Sequence, residues 1–299
     1  MAYGTPSTEE EILPYYTDIL GGRKPSDDMY AELVERYRII DYSPLAKISE
    51  AQAEGVIETL NERNAEHTFV GFNGYRHIHP FVGDAIEQCV EQDVDKIIGV
   101  ALTPQYAKYS TQIYHDKALA RLKELNSTIP YIPINEWHEQ PAIIEYWGKE
   151  LADCVKELND ADYRVVFSAH NLPAEQTKGD VYEEQFHKMG ELIAAYAEVP
   201  EEKCQWAWQS GHEGGPVEWM RPFLEETVEE NVKQGIKQII SIPIGFISDN
   251  LEIAYDLDIE LKGVIEAGGG SLHRLAMPNT HPLLIEAMTE AVSEKVEER

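Results

Sequence analysis

A histidine at the end of an apolar run is the first group in this sequence equipped for chemistry. In Val165-Val-Phe-Ser-Ala-His-Asn-Leu-Pro173 the β-branched and aromatic residues read as a buried strand, with His170 in the loop just beyond it. Imidazole in that place can accept a proton near neutral pH or ligate a metal, and it can equally cap the strand end by hydrogen bonding. The second candidate is acidic. Ser248-Asp-Asn-Leu-Glu-Ile-Ala-Tyr-Asp-Leu-Asp-Ile-Glu260 sets Glu252, Asp256 and Glu260 at i, i+4 and i+8. In an α-helix they stack within an arc of about 80°, with Asp249 near the same face. Alone, such a stripe describes a solvated acidic face, at a cost of about a few tenths of a kcal/mol per like-charged pair. It does not stand alone, because Ile239-Ile-Ser-Ile-Pro-Ile-Gly-Phe246 reads as a buried strand that feeds it directly. His170 and Glu252 therefore both belong at carboxyl strand ends, on one edge. An imidazole and a carboxylate facing each other across a cleft suit a hard or borderline divalent cation. The acidic ladder behind Glu252 offers a route for a cation arriving or protons leaving.

Those two groups need a scaffold that brings strand ends together. Short β-branched runs at 69–72, 96–102, 131–134, 164–167, 205–208 and 238–242 alternate with amphipathic stretches at 83–92, 114–125, 143–159, 182–198 and 218–234. Alternation of this kind predicts an α/β fold with parallel sheets covered by helices, in which ligands sit outside the carboxyl ends of strands. The order of events also recurs. Met1–Pro6, Gly71-Phe-Asn-Gly74, Pro80-Phe81 and Thr103-Pro104 are echoed by 167–173, Trp208-Gln-Ser-Gly211, Pro222-Phe223 and Ile242-Pro243. The expectation is two similar Rossmann-like domains with an interdomain cleft. The division expected is 1–103 plus 274–299 against 104–273, with a final helix near 281–297 returning to the first domain. Pro80 and Pro222 are expected in the first turns of helices.

Composition narrows the partners. The net charge is −29, from 54 acidic and 25 basic residues. Such a surface repels nucleic acid and anionic lipid. No stretch approaches the ~20 apolar residues of a membrane helix, and no charged-then-apolar segment opens the chain. A cytoplasmic monomer is expected. The three cysteines include no Cys-x-x-Cys pair, which argues against structural zinc and thiolate-held iron–sulfur clusters. No Gly-x-Gly-x-x-Gly or Walker-type loop follows a strand.

Together, Ser168-Ala-His-Asn-Leu-Pro173 and Pro243-Ile-Gly-Phe246…Asp249-Asn-Leu-Glu252 resemble the ferrochelatase family. The likeness extends in order through Met1-Ala-Tyr-Gly-Thr-Pro6, Ser43-Pro-Leu45, Gly74-Tyr-Arg-His77, Lys178-Gly-Asp-Val-Tyr182, Trp208-Gln-Ser210, Trp219-Met-Arg-Pro222 and Met277-Pro-Asn279. It is most similar to the Gram-positive type, which metallates coproporphyrin III to coproheme in haem biosynthesis. The resemblance implies His170 as the active-site histidine, Glu252 as the carboxylate opposite it, and Asp256 and Glu260 as a ladder to an outer divalent-cation site. It implies porphyrin contacts from Tyr3, Arg36, Ser43 and His77, and Trp219 is expected in the cleft lining with Tyr3, Phe246 and Trp208. Ferrous iron and a porphyrin are then the substrates, and no organic cofactor is needed. Alternatives are a protoporphyrin IX ferrochelatase, another tetrapyrrole metal chelatase, or a non-enzymatic tetrapyrrole or metal carrier of the same fold.

Three departures from the family pattern stand out. The apolar residues of the family's opening strand do not precede Met1, which implies either a poorly anchored Tyr3 or a misplaced start site. Leu20 follows Thr17-Asp-Ile19 where the Gram-positive type has arginine, which implies a lost propionate contact. His212 and Glu213 occupy unfamiliar places in the Gly-rich loop.

Overall fold

Strands that run parallel and helices that return the chain between them build a computed structural model describing residues 1–159, 161–211 and 217–297. Three helices come first: α1 (Glu9–Ile19), α2 (Asp27–Ile39) and α3 (Leu45–Arg63). They lie outside the expected alternation. Next are α4 (Val82–Glu91), β1 (Ile97–Val100), α5 (Thr111–Glu124), β2 (Tyr131–Ile134) and α6 (Pro141–Leu158). The chain continues through β3 (Tyr163–His170), the short α7 (Ala174–Thr177), α8 (Tyr182–Tyr196), β4 (Cys204–Gln209), α9 (Leu224–Lys233) and β5 (Gln238–Ile242). A π-helix (Glu252–Leu261) runs into α10 (Lys262–Ala267), followed by β6 (Ser271–Arg274) and α11 (Pro282–Glu297).

The larger sheet is parallel, in the order β4-β3-β5-β6. Val165 through Ala169 on β3 are fully buried because helices cover both faces, which is why this strand reads as a largely apolar run. Trp147, Phe167, Phe186 and Leu224 fill the core around it. Each such side chain contributes about 1.5–3 kcal/mol on burial.

The smaller sheet pairs β1 with β2, Ile97 beside Tyr131 and Val100 beside Ile134. Segment 131–134 therefore lies in the first sheet, although the expected division at 103/104 put it with the second unit. The chain leaves the first sheet later than the internal echo suggested. Helix α11 packs on α3 and α6.

The expected strand at 69–72 does not form. Asn61 brackets Phe69 instead: its Nδ2 donates to Phe69 O at 3.0 Å and its Oδ1 accepts from Phe69 N at 2.7 Å. Pairing starts a few residues later, against the first residues of the sequence. Ala2 N donates to Gly74 O at 3.1 Å, Arg76 N to Ala2 O at 2.9 Å, and His77 N to Tyr3 O at 3.2 Å. On the other side Leu102 N donates to Met1 O at 2.8 Å. Main-chain bonds thus hold Tyr3 and the residues before it in place, against the expectation that Tyr3 is poorly anchored.

The internal echo is visible in hydrogen bonds. Tyr75 N donates to Pro80 O at 2.8 Å, and Trp208 N to Pro222 O at 2.9 Å. Parallel bridges join Tyr75 to Phe81 and Trp208 to Phe223, and both X-Pro bonds are cis. Phe81 and Phe223 are the N-caps of α4 and α9, so each proline precedes the cap rather than entering the first turn. Among the described residues no helix is long and apolar enough to cross a membrane.

Candidate functional site

His170 is the last residue of β3, one step earlier than the loop position expected. Its Nδ1 donates to Asn171 O at 2.6 Å. A carbonyl can only accept, so Nδ1 carries a hydrogen, and in the neutral ring Nε2 presents the lone pair. That Nε2 lies 3.7 Å from Glu252 Oε1. The pair is 41% and 35% exposed, open enough for a ligand to reach both.

Glu252 opens the π-helix, and the route from β5 to it is tightly constrained. Gly245 N donates to Ser168 O at 3.1 Å, so the loop crosses the end of β3. A Cβ on Gly245 would stand 2.6 Å from Ala169 Cβ and 2.7 Å from its Cα. Only glycine lets the two segments approach this closely. Asn250 then accepts from Ile253 N through Oδ1 at 3.0 Å and fixes the helix start.

The acidic ladder winds on a π-helix rather than the α-helix its spacing implied. In a π-helix each backbone N–H reaches five residues back, a geometry that recurs at functional sites. Asp256 is partly buried beside Glu252. Burial pushes its carboxyl up to about 6, opposed by the hydrogen bond from Ser210 Oγ, which is 2.8 Å long. Glu252 adds to the rise, and Arg36, whose Nη1 is 3.8 Å from Asp256 Oδ1, counters it. Glu260 is exposed. Among the described residues no three His, Cys, Asp or Glu side chains form a group that could hold a metal ion.

The His170–Glu252 pair lines a cavity of about 640 Å³. Its walls are aromatic, with Tyr3, Tyr15, Tyr114, Tyr182, Trp219 and Phe246 among them. Burial raises the Tyr3 hydroxyl to about 12, with Glu252 adding to the effect. Arg76 is the only lysine or arginine in the lining among the described residues. Its guanidinium sits 5.9 Å from the centre of the Tyr3 ring.

Of the expected contacts, Tyr3 and Trp219 line the cavity with His170 and Glu252, whereas Asp256 and Glu260 are not part of its lining. Three others do not reach it. His77 Nδ1 donates to Asp18 Oδ2 at 2.6 Å, and burial lowers its pKa against the pull of Asp18. Arg36 pairs with Glu32 at 2.9 Å and lies 4.9 Å from the centre of the Tyr255 ring, on the ladder rather than in the cavity. Ser43 Oγ accepts from Leu45 N at 3.3 Å at the start of α3. Trp208 is 2% exposed and packs 4.7 Å from the Phe186 ring, a core residue and not a wall. Leu20 caps α1, and it is its neighbour Ile19 that lines the cavity. His212 and Glu213 lie outside the described residues. Tyr15 and Tyr114 carry no linear signal, because α1 and α5 meet only in the folded chain; Arg76 stands in the Gly74-Tyr-Arg-His77 motif, of which only His77 is expected at the site.

Comparison with known proteins agrees with this geometry. The ferrochelatase family model matches residues 1–296. The coproporphyrin III ferrochelatase of Halalkalibacterium halodurans is 36% identical, over 100% of this chain and 96% of its own. That of Listeria monocytogenes serotype 4b is 36% identical, over 99% of this chain and 96% of its own. Among solved structures, SirB from Bacillus subtilis with Fe3+ superposes with a TM-score of 0.58 at 15% identity, covering 82% of this chain and 89% of SirB. CbiX, described as the terminal enzyme for siroheme biosynthesis in denitrifying bacteria, gives 0.53 at 14% identity, covering 84% and 93%. At those identities the two structures speak for the fold alone, which is the α/β chelatase architecture expected.

Proposed function

The chain belongs to the ferrochelatase family, and on that premise we propose that it inserts ferrous iron into coproporphyrin III to give coproheme. The observation that carries the reading is the His170–Glu252 pair, 3.7 Å apart on the wall of an aromatic cavity of about 640 Å³. Metallation requires two pyrrole N–H protons to leave and iron to shed water. The lone pair on His170 Nε2 accepts the two pyrrole protons in turn and passes each to solvent, to which the side chain is partly open. The Glu252 carboxylate offsets the charge of the imidazolium and, as an oxygen donor, meets the entering cation. Asp256 and Glu260 extend this negative field toward the surface and give the cation a path inward. The aromatic walls hold the macrocycle and exclude water, so these charges act in a medium of lowered dielectric. The chemistry is deprotonation and ligand exchange, for which iron and porphyrin suffice. Arg76 faces the anionic edge of the substrate.

The test is anaerobic iron insertion with coproporphyrin III and protoporphyrin IX side by side. A higher kcat/KM for coproporphyrin III supports the reading. Equal or better use of protoporphyrin IX overturns the substrate assignment, and metallation of neither overturns the activity.

A further inference from the structure

Asn171 is fully buried, follows His170 directly and lines the cavity. All four of its polar groups have partners within the protein. Its N donates to Gln209 O at 2.8 Å, and its O accepts from His170 Nδ1 at 2.6 Å. Its side-chain Nδ2 donates to Met220 O at 3.1 Å, and its Oδ1 accepts from Met220 N at 3.0 Å. The side-chain amide thereby imitates one rung of an antiparallel ladder. Main-chain contacts complete that ladder: Met220 N to Leu172 O at 3.2 Å, Ala174 N to Glu218 O at 2.8 Å, and a bridge between Pro173 and Trp219. The fit is close. A Cβ on Gly211 would lie 2.5 Å from Asn171 Nδ2 and 2.7 Å from Phe223 Cε1.

One residue thus touches both the His170 ring and the strap that carries Trp219 into the cavity. We propose that Asn171 is a positioning residue that sets the Trp219 strap against the cavity and so fixes the seat of the porphyrin relative to His170. It acts through Trp219 and not on the reacting atoms. The inference rests on the cavity being the porphyrin site. Serine or alanine at 171 cannot span to Met220. Aspartate keeps the acceptor for Met220 N but turns an oxygen toward Met220 O, which repels it. The backbone carbonyl that orients His170 is present in every variant.

The experiment is a double-mutant cycle on the full chain with Asn171→Ala, Trp219→Ala and the double variant, with Asn171→Asp alongside. Metal-free coproporphyrin III binding is read from the Soret shift, and kcat, KM and the pH profile from anaerobic turnover. Losing both side-chain bonds is expected to raise Kd and KM on the order of tenfold while kcat changes little. The double variant should bind no more weakly than Trp219→Ala, Asn171→Asp should resemble Asn171→Ala, and the pH profile should stay at its wild-type position. If Asn171→Ala fails to fold, Asn171→Ser takes its place in the cycle with the same expectation. Additive losses, or wild-type Kd in a folded Asn171 variant, would overturn the positioning role while leaving the function intact. Wild-type protein that binds no porphyrin would overturn the function and this inference with it.

Discussion

Replacing Arg76 by glutamine is expected to weaken coproporphyrin III binding about thirtyfold. The estimate follows from where the guanidinium sits. It is half-buried in the cavity lining, and its neighbour there is the Tyr3 ring rather than a carboxylate. The nearby carboxylate, Asp18, is taken by His77 at 2.6 Å. Arg76 is therefore left to face a ligand, in a chain whose net charge of −29 otherwise repels a propionate. Two unit charges 4 Å apart attract by about 1 kcal/mol in water and about 4 kcal/mol near a protein surface. A half-buried site falls between, at about 2 kcal/mol, which is roughly a factor of 30 in Kd. Arg76→Lys keeps the charge and is expected to recover most of the loss. Salt provides an independent check. Raising ionic strength from 0.1 to 1 M shortens the screening length from about 10 to about 3 Å, so the gap in Kd between wild type and Arg76→Gln should narrow. The assay is Soret titration of metal-free coproporphyrin III at the two salt concentrations. A Kd for Arg76→Gln close to wild type, or an identical salt response, would refute the pairing.

Three further outcomes are expected. His170→Ala should abolish iron insertion and Glu252→Gln should lower kcat by at least about a hundredfold, with melting temperatures near wild type because both side chains are partly exposed; substantial turnover in either would remove that residue from the mechanism. Gly245→Ala should destabilise the fold by about 1–3 kcal/mol, since the new methyl would meet Ala169 at 2.6 Å, and a melt unchanged from wild type would show that the crossing can give way. Asp256 has a folded pKa near 6, above its model-compound value of 3.8, so the folded state holds the extra proton between those values and stability falls as pH rises through that window. Asp256→Asn should therefore gain up to about 3 kcal/mol over wild type above pH 6 and nothing below about pH 4, as read by urea unfolding at both extremes.

Much of the scaffold is legible in the linear pattern. β3 and β5 are largely apolar, interrupted within their buried stretches only by Ser168 and Ser241, because helices cover both of their faces, and burial of that kind leaves its mark residue by residue. His170 and Glu252 could be placed at neighbouring strand ends for the same reason, and the motifs around them tied the chain to its family. Other features needed the folded chain. The strand expected at 69–72 gives way to pairing at Gly74–His77, because its partner is Met1–Tyr3, more than seventy residues away in sequence. The i, i+4 acidic spacing is compatible with more than one helical winding. The π-helix runs where Arg274 Nε holds Asp258 Oδ1 at 2.7 Å and Asn279 Nδ2 holds Asp249 Oδ2 at 2.7 Å, contacts made from β6 and the segment beyond it. Arg36 and Arg76 are indistinguishable by residue type, yet one is bound to Glu32 and Asp256 and the other is turned to the cavity. Periodicity reports which face of an element is buried. Which charge meets which depends on distances of a few ångströms between segments far apart in the chain, and only tertiary packing sets those.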